Sequence, residues 1–263
     1  MAKYSQGVFL NILNSNLGDW QKQIDFIASL ARVEHLEIFL EYLPNEKELQ
    51  FLKQALASYQ KLIHAPFVNL SLISQWKEVR QAYLKIMNKT LELSLGLEAK
   101  VITCHVGSRP FFLNQAYAEK IILEEFSPLI KEFGGKINLA FENMPASTGI
   151  RAGYPLLDEL ESLGRKLKVP FTLDVGHALR NGEDWEKFLR RHLSQIVNIH
   201  LHDARRDEDH LRLGAGSLDT DKFLNVLAKI HYTNYLTLEV LEKKDATPSR
   251  DIAASWEILT AAR

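Results

Sequence analysis

Eight short apolar segments recur along the chain, and each is followed by residues with the spacing of an amphipathic helix. The segments are nearly continuous in hydrophobicity, which is typical of strands buried on both faces of a parallel sheet. The predicted strands comprise residues 8–12, 35–40, 62–68, 100–105, 137–142, 170–174, 196–202 and 235–241. The predicted helices comprise residues 19–31, 46–59, 74–95, 114–133, 154–168, 184–192, 219–230 and 249–262. Eight such units in 263 residues favour a closed (β/α)8 TIM barrel of the α/β class over the alternative, a doubly wound open sheet.

The composition excludes several classes of protein. No linker or low-complexity segment interrupts the pattern, so residues 1–263 are predicted to form one domain. The net charge of −1 gives no global attraction to nucleic acid or to an anionic membrane. No apolar run approaches about 18 residues and no signal-peptide pattern is found, which predicts a soluble cytoplasmic protein without a membrane partner. The oligomeric state is left open, a homo-oligomer included.

From the third strand onward, each predicted strand ends on a histidine or a carboxylate. These residues are His64, His105, Glu142, Asp174 with His177, His200 with His202, and Glu239. In a parallel barrel all strand carboxyl ends open on one face, where barrel enzymes place their active sites. Any single one of these side chains could be an ordinary core residue, but several carboxylates converging on one face repel each other unless a cation lies between them.

The sequence therefore predicts a divalent metal site. The one cysteine, Cys104, lies inside an apolar run, so the ligands must be nitrogen and oxygen atoms. Histidine with carboxylate suits Zn²⁺ or Mn²⁺, and the number of candidate ligands allows one to three ions. Because side chains alternate along a strand, only one of His200 and His202 is expected to face the barrel axis, and the other is expected to pack outward or against a loop.

Four motifs resemble those of the xylose isomerase-like TIM-barrel superfamily. They are Glu142-Asn143, Asp174-x-x-His177, His200-Leu-His-Asp203 and His210-Leu-Arg-Leu-Gly214-Ala-Gly216, and the resemblance extends from about Val8 to Glu242. The superfamily contains sugar and sugar-phosphate isomerases and epimerases, and also the endonuclease IV type of apurinic-site nuclease. The resemblance implies that the primary metal ligands are Glu142, Asp174, His200 and Glu239, and that His202 is not one of them.

Members that resemble endonuclease IV use further ligands. In this sequence the corresponding residues are His64, His105, His177, Glu208 and His210. Glu208 stands where an aspartate is usual, and Asp207 or Asp209 could substitute for it. A full set would hold a multinuclear site.

The first functional hypothesis is a metal-dependent isomerase or epimerase of carbohydrate metabolism that acts on a small sugar or sugar phosphate. Glu142 and Glu239, both bound to the metal, would transfer a proton through an enediolate. The substrate-binding residues on this hypothesis are His177, Arg206, His64 and His105. The ketose 3-epimerases carry a second glutamate shortly after the first, whereas residues 143–148 contain no acid here.

The alternative is a zinc-dependent phosphodiester hydrolase of the endonuclease IV type, acting on apurinic or apyrimidinic DNA. Such an enzyme needs basic and aromatic loops that grip the duplex. Residues 41–48, which follow the second strand, are acidic, and this disfavours a nucleic-acid partner. A third hypothesis is a barrel that binds a sugar without converting it, although the pair Glu142 and Glu239 argues against it.

Overall fold

The computed structural model describes residues 4–12, 16–110, 112–146, 151–152, 154–241 and 250–261. Eight parallel strands form a closed barrel in chain order, and the last strand pairs with the first, which confirms the predicted TIM barrel. The strands are β1 (Ser5–Asn11), β2 (His35–Phe39), β3 (Gln60–His64), β4 (Val101–Cys104), β5 (Asn138–Glu142), β6 (Phe171–Asp174), β7 (Ile196–Leu201) and β8 (Tyr235–Leu238). That residues 1–263 form a single domain stays a prediction.

Helices surround the barrel. They are α1 (Leu17–Ser29), α2 (Glu46–Ala55), α3 (Lys77–Gly96), α4 (Gln115–Phe133), α5 (Leu157–Leu167), α6 (Val175–Asn181), α7 (Trp185–Arg191), α8 (Thr220–Lys229) and α9 (Arg250–Ala261). The predicted ends of the last helix, Ser249 and Ala262, lie outside the described residues. None of the helices in the described ranges is both long enough and apolar enough to cross a lipid bilayer.

The structure adds elements at the carboxyl face that the sequence pattern did not predict. Helix α6 begins directly after β6, and its seven residues are too few to show a helical repeat. Two antiparallel ribbons also form there, one pairing Arg109–Pro110 with Arg151–Ala152 and the other pairing Asp203–Arg205 with Glu208–Leu211. Several predicted strands end earlier than expected. The largest differences are at β3, which ends at His64, and at β8, which ends at Leu238, and β7 ends one residue early at Leu201.

The barrel interior is polar. Glu37 on β2 accepts hydrogen bonds from Thr103 on β4 and Asn198 on β7, and Thr103 pairs with Thr172 on β6. None of these pairs joins neighbouring strands, so the contacts run through the inside of the barrel. The apolar core lies mainly outside, between the strands and the surrounding helices, where residues such as Phe171 are fully buried.

Helix α5 packs against the barrel through a glycine. A Cβ atom added at Gly164 would lie 2.1 Å from Cε1 of Phe171 at the start of β6. A side chain at Gly164 would therefore push α5 away from the strand that carries Asp174.

We expect Gly164→Ala to lower the free energy of unfolding by about 1–3 kcal/mol, because the added methyl group overpacks this contact. The matched control is Gly96→Ala at the end of α3, where an added Cβ meets nothing within 4 Å. That change should be neutral or stabilising by up to about 1 kcal/mol. Urea unfolding followed by circular dichroism measures both, and equal stabilities would contradict the expectation.

Candidate metal centre

Four side chains meet at the carboxyl end of the barrel. Glu142 and Asp174 end β5 and β6, His200 lies near the end of β7, and Glu239 directly follows β8. All four are buried, and one ligand atom from each lies within 4.8 Å of the others. Nδ1 of His200 is 2.9 Å from Oε1 of Glu142 and 2.8 Å from Oε2 of Glu239. We call these four residues the central group.

The charges of the residues in the central group depend on one another. Burial alone would raise the pKa of Glu142, but His200 and His105 outweigh burial and hold it well below the ordinary value. The pKa of Glu239 is lowered in the same way, because His200 outweighs the effect of burial. Burial opposes protonation of His200, yet the charges of Glu37, Glu142 and Glu239 raise its pKa well above the ordinary value. Positive charge on neighbouring histidines thus keeps these two carboxylates ionised.

The residues present fit a divalent ion. Oε2 of Glu142 and Oε2 of Glu239 are buried, and ring nitrogens lie close to them, Nε2 of His105 at 3.0 Å and Nδ1 of His200 at 2.8 Å. Nδ1 of His200 faces both carboxylates, although it can donate to only one of them. Nitrogen and oxygen ligands without a thiolate suit Zn²⁺ or Mn²⁺. The structure brings the four predicted primary ligands together, and their role as ligands stays a prediction.

A second group of potential ligands consists of Asp174, His177, His202 and His210. Nε2 of His202 lies 3.1 Å from Asp174, and its Nδ1 accepts a hydrogen bond from the backbone N–H of His210. Nδ1 of His177 lies 3.0 Å from the carbonyl oxygen of Asn143, which leaves Nε2 of His177 unprotonated when the ring is neutral.

His202 is the member of the pair His200 and His202 that was expected to pack outward or against a loop. It contacts the ribbon formed by residues 203–211, and it also contacts Asp174. The reason is that β7 ends at Leu201, so the alternation of side chains does not extend to His202. The His202 ring also needs the space beside Gly176, where an added Cβ would lie 1.9 Å from the ring.

Glu208 belongs to none of the groups of potential ligands among the described residues, and its role as a ligand stays a prediction. Its backbone lies opposite Arg205, next to the turn of the ribbon formed by residues 203–211. The neighbouring Asp209 contacts Arg180 and accepts a hydrogen bond from His210. Burial opposes its ionisation, but His210 and Arg180 outweigh burial and lower the pKa of Asp209 strongly.

The third group comprises His64, His105 and Glu142. The Nε2 atoms of the two histidines are 2.9 Å apart, and Nε2 of His105 lies 3.0 Å from Oε2 of Glu142. Burial and the neighbouring His105 lower the pKa of His64 to about 4. A neutral His64 with its Nδ1 proton directed at the carbonyl of Ala65 leaves Nε2 as an acceptor that faces His105.

A cleft of about 440 Å³ leads to the third group from the surface. Phe67, His105 and Ser108 line it, and the aromatic side chains of Trp76 and Phe112 are 73% and 60% exposed there. Large exposed aromatic rings beside a buried polar cluster are typical of a ligand-binding site.

The sequence analysis named Arg206 as a site residue and did not name Glu37. Arg206, predicted to bind substrate, is exposed at the turn of the ribbon formed by residues 203–211. Glu37 was missed, because it lies in the middle of an apolar strand and not at its end. Its Oε2 lies 2.9 Å from Nε2 of His200. The signal available in the sequence was a carboxylate between two apolar residues of a strand, Leu36 and Ile38.

Comparison with known proteins agrees with this architecture. A family model described as xylose isomerase-like TIM barrel matches residues 24–261. An uncharacterized protein of Methanocaldococcus jannaschii is 28% identical over 80% of this chain and 75% of its own length. The inosose dehydratase of Clostridium tetani is 23% identical over 73% of this chain and 74% of its own. The crystal structure of a D-tagatose 3-epimerase-like protein superposes with a TM-score of 0.81 at 21% identity, covering 98% of this chain and 96% of the other.

From the second group we predict that the stability of the chelator-treated protein depends on pH. Burial opposes the charged form of His202, but Asp174 outweighs burial and raises the pKa of His202 to about 9. A raised pKa stabilises the fold fully below the unfolded value of about 6.5, and this stabilisation is lost as the pH rises through the folded value. The unfolding free energy of the unchanged protein should therefore fall between about pH 6.5 and 9. In His202→Gln this fall should be smaller by roughly 1–3 kcal/mol.

Urea unfolding at several pH values in the presence of a chelator measures this effect. The matched control is His231→Gln, since the His231 side chain is exposed at the opposite end of the barrel, before β8. The control should retain the pH dependence of the unchanged protein. An identical dependence in His202→Gln would show that the contact with Asp174 does not stabilise the fold.

Proposed function

Since this chain belongs to the xylose isomerase-like TIM barrel family, we propose that it is a metal-dependent isomerase or epimerase of sugars. The observation that carries the proposal is the central group, in which Glu142 and Glu239 lie on either side of Nδ1 of His200. Two carboxylates beside one cation can take a proton from the carbon next to a carbonyl and return it elsewhere. A Zn²⁺ or Mn²⁺ ion held by the central group would act as a Lewis acid toward the substrate oxygens.

The protein's own residues would handle the proton. Each carboxylate has more lone pairs than its contacts with ring nitrogens use, so Glu142 and Glu239 can each accept a proton from the substrate. One carboxylate takes the proton and the other returns it. Nε2 of His200 is hydrogen-bonded to Glu37, on the side of the ring away from Glu142 and Glu239. This bond helps to keep the ring's proton from being donated to the substrate in place of the carboxylates.

The substrate is proposed to enter through the cleft beside His105. Among the described residues that line the cleft, His105 is the one ionisable side chain, which favours an uncharged sugar over a sugar phosphate. The names of the relatives, an inosose dehydratase and a D-tagatose 3-epimerase-like protein, favour a ketose or a cyclic polyol ketone. His64, His105, His177 and Arg206 remain the proposed substrate-binding residues.

The test is proton exchange with solvent. The zinc- or manganese-loaded protein, incubated with D-tagatose or an inosose in D₂O, should introduce deuterium at the carbon next to the carbonyl, as measured by NMR. Glu142→Gln and Glu239→Gln should each slow exchange by about 100-fold or more. The control Glu257→Gln changes an exposed carboxylate on α9 and should exchange normally.

The metal content of each variant, measured in parallel, separates the loss of the ion from the loss of the base. Exchange that persists in a variant lacking either glutamate would contradict the assigned roles. No exchange with any ketose or polyol ketone would contradict the proposed reaction.

A second candidate is the phosphodiester hydrolase. The observation in its favour is that the three groups share ligands, since Glu142 belongs to two of them and Asp174 to two. A continuous set of this kind can hold more than one ion, and paired ions stabilise the attacking and leaving oxygens of a phosphodiester. The proposed isomerase needs only the central group.

We expect the zinc-loaded protein to leave a duplex with one abasic site intact, because the loop at residues 41–48 is acidic and presents no basic surface to the phosphates. Gel analysis of a labelled duplex measures this. Cleavage at the abasic site that is lost in His105→Ala and kept in His231→Ala would replace the isomerase with the hydrolase.

A further inference from the structure

Glu37 is a fully buried carboxylate in the middle of β2. It accepts three hydrogen bonds, from Oγ1 of Thr103 at 2.9 Å, from Nδ2 of Asn198 at 2.8 Å and from Nε2 of His200 at 2.9 Å. Thr103 and Asn198 are neutral, so His200 is the partner that can carry positive charge. A carboxylate in such surroundings needs a reason beyond filling space, because burying a charge is costly.

We propose that Glu37 is a positioning residue for the metal centre, acting through His200. A carboxylate can only accept hydrogen bonds, so the contact with Glu37 places the imidazole proton on Nε2. In the neutral ring the lone pair is then on Nδ1. That nitrogen points at Oε1 of Glu142 and Oε2 of Glu239.

Without an ion, the two carboxylates favour a second proton on Nδ1 of His200. A cation that accepts lone pairs from Nδ1 of His200, Glu142 and Glu239 can take the place of that proton. A carboxylate behind a ligating imidazole fixes the orientation of the ring and raises the basicity of the ligating nitrogen. Glu37 thus prepares His200 to bind an ion through Nδ1.

The rest of the interior network holds Glu37 in place. Thr103 also bonds to Thr172, and Asn198 accepts a hydrogen bond from Thr237. The carboxylate is therefore anchored from β4 and β7, on opposite sides of β2, and its contact with His200 does not depend on a flexible side chain. The inference concerns ion binding and holds whichever reaction the protein catalyses.

The test compares Glu37→Gln with the matched control Thr103→Val. Asn198 and His200 both donate to Oε2 of Glu37, so a glutamine that places its oxygen there keeps both bonds and turns its NH₂ group toward Oγ1 of Thr103. What the glutamine removes is the negative charge behind His200. The valine removes one donor to the same carboxylate but does not touch His200. We expect Glu37→Gln to weaken binding of Zn²⁺ about 10- to 100-fold in competition with a chromophoric chelator, and Thr103→Val to change it less than about 3-fold.

Unchanged zinc affinity in Glu37→Gln would overturn the proposal. An equal loss in Thr103→Val would also overturn it, because a general weakening of the interior would then explain both. Unfolding free energies are measured alongside, since both variants are expected to lose stability.

A second measurement uses the unchanged protein and does not depend on whether Glu37→Gln folds. In the zinc-loaded, ¹⁵N-labelled protein, His200 should show a proton on Nε2 and none on Nδ1, with its signals identified by their absence in His200→Gln. A proton on Nδ1 of His200 would overturn the proposal.

Discussion

The convergence of like charges at one end of a closed barrel is the constraint on which the rest of this structure depends. Parallel strands of similar length bring their carboxyl ends together, so Glu142, Asp174 and Glu239 cannot avoid each other. Water cannot screen them, because all three are buried. Histidines, above all His200, keep Glu142 and Glu239 ionised. A cation held by the central group would offset the repulsion among the carboxylates.

The same constraint explains the polar barrel interior. An apolar interior would leave Nε2 of His200 without an acceptor, and an unpaired buried donor costs about 1–3 kcal/mol. Glu37 meets that need, and Thr103 and Asn198 in turn stabilise Glu37. Each buried polar group needs a hydrogen-bond partner of its own. The network ends at neutral hydroxyl groups such as those of Thr172 and Thr237. The apolar contacts that hold the fold together lie instead between the strands and the helices.

Much of this could be predicted from the sequence, and what could not depends on contacts between distant parts of the chain. The alternation of strands and helices, and the polar residue at each strand end, are local patterns, and they predicted the barrel and the residues of the central group. Glu37 could not be found in this way, because its partner His200 lies 163 residues away and on a strand that does not adjoin β2. The contact between His202 and Asp174 could not be predicted either, because it depends on β7 ending before His202.

The motif Asp174-Val-Gly-His shows how the chain joins local structure to the site. Oδ1 of Asp174 accepts the backbone N–H of His177, so the carboxylate that faces the ligand groups also caps helix α6. The helix carries His177 toward the second group, and Gly176 leaves space for the ring of His202. Asn143 secures the arrangement, since its side-chain amide bonds to both the N–H and the carbonyl of Asp174. A change at Asp174 would therefore remove a potential ligand, a helix cap and the support of two histidines together. The effect of such a change on ion binding cannot be separated from its effect on the fold. A change at Glu37 allows the two effects to be measured separately, because Glu37 is not itself a potential ligand of the central group.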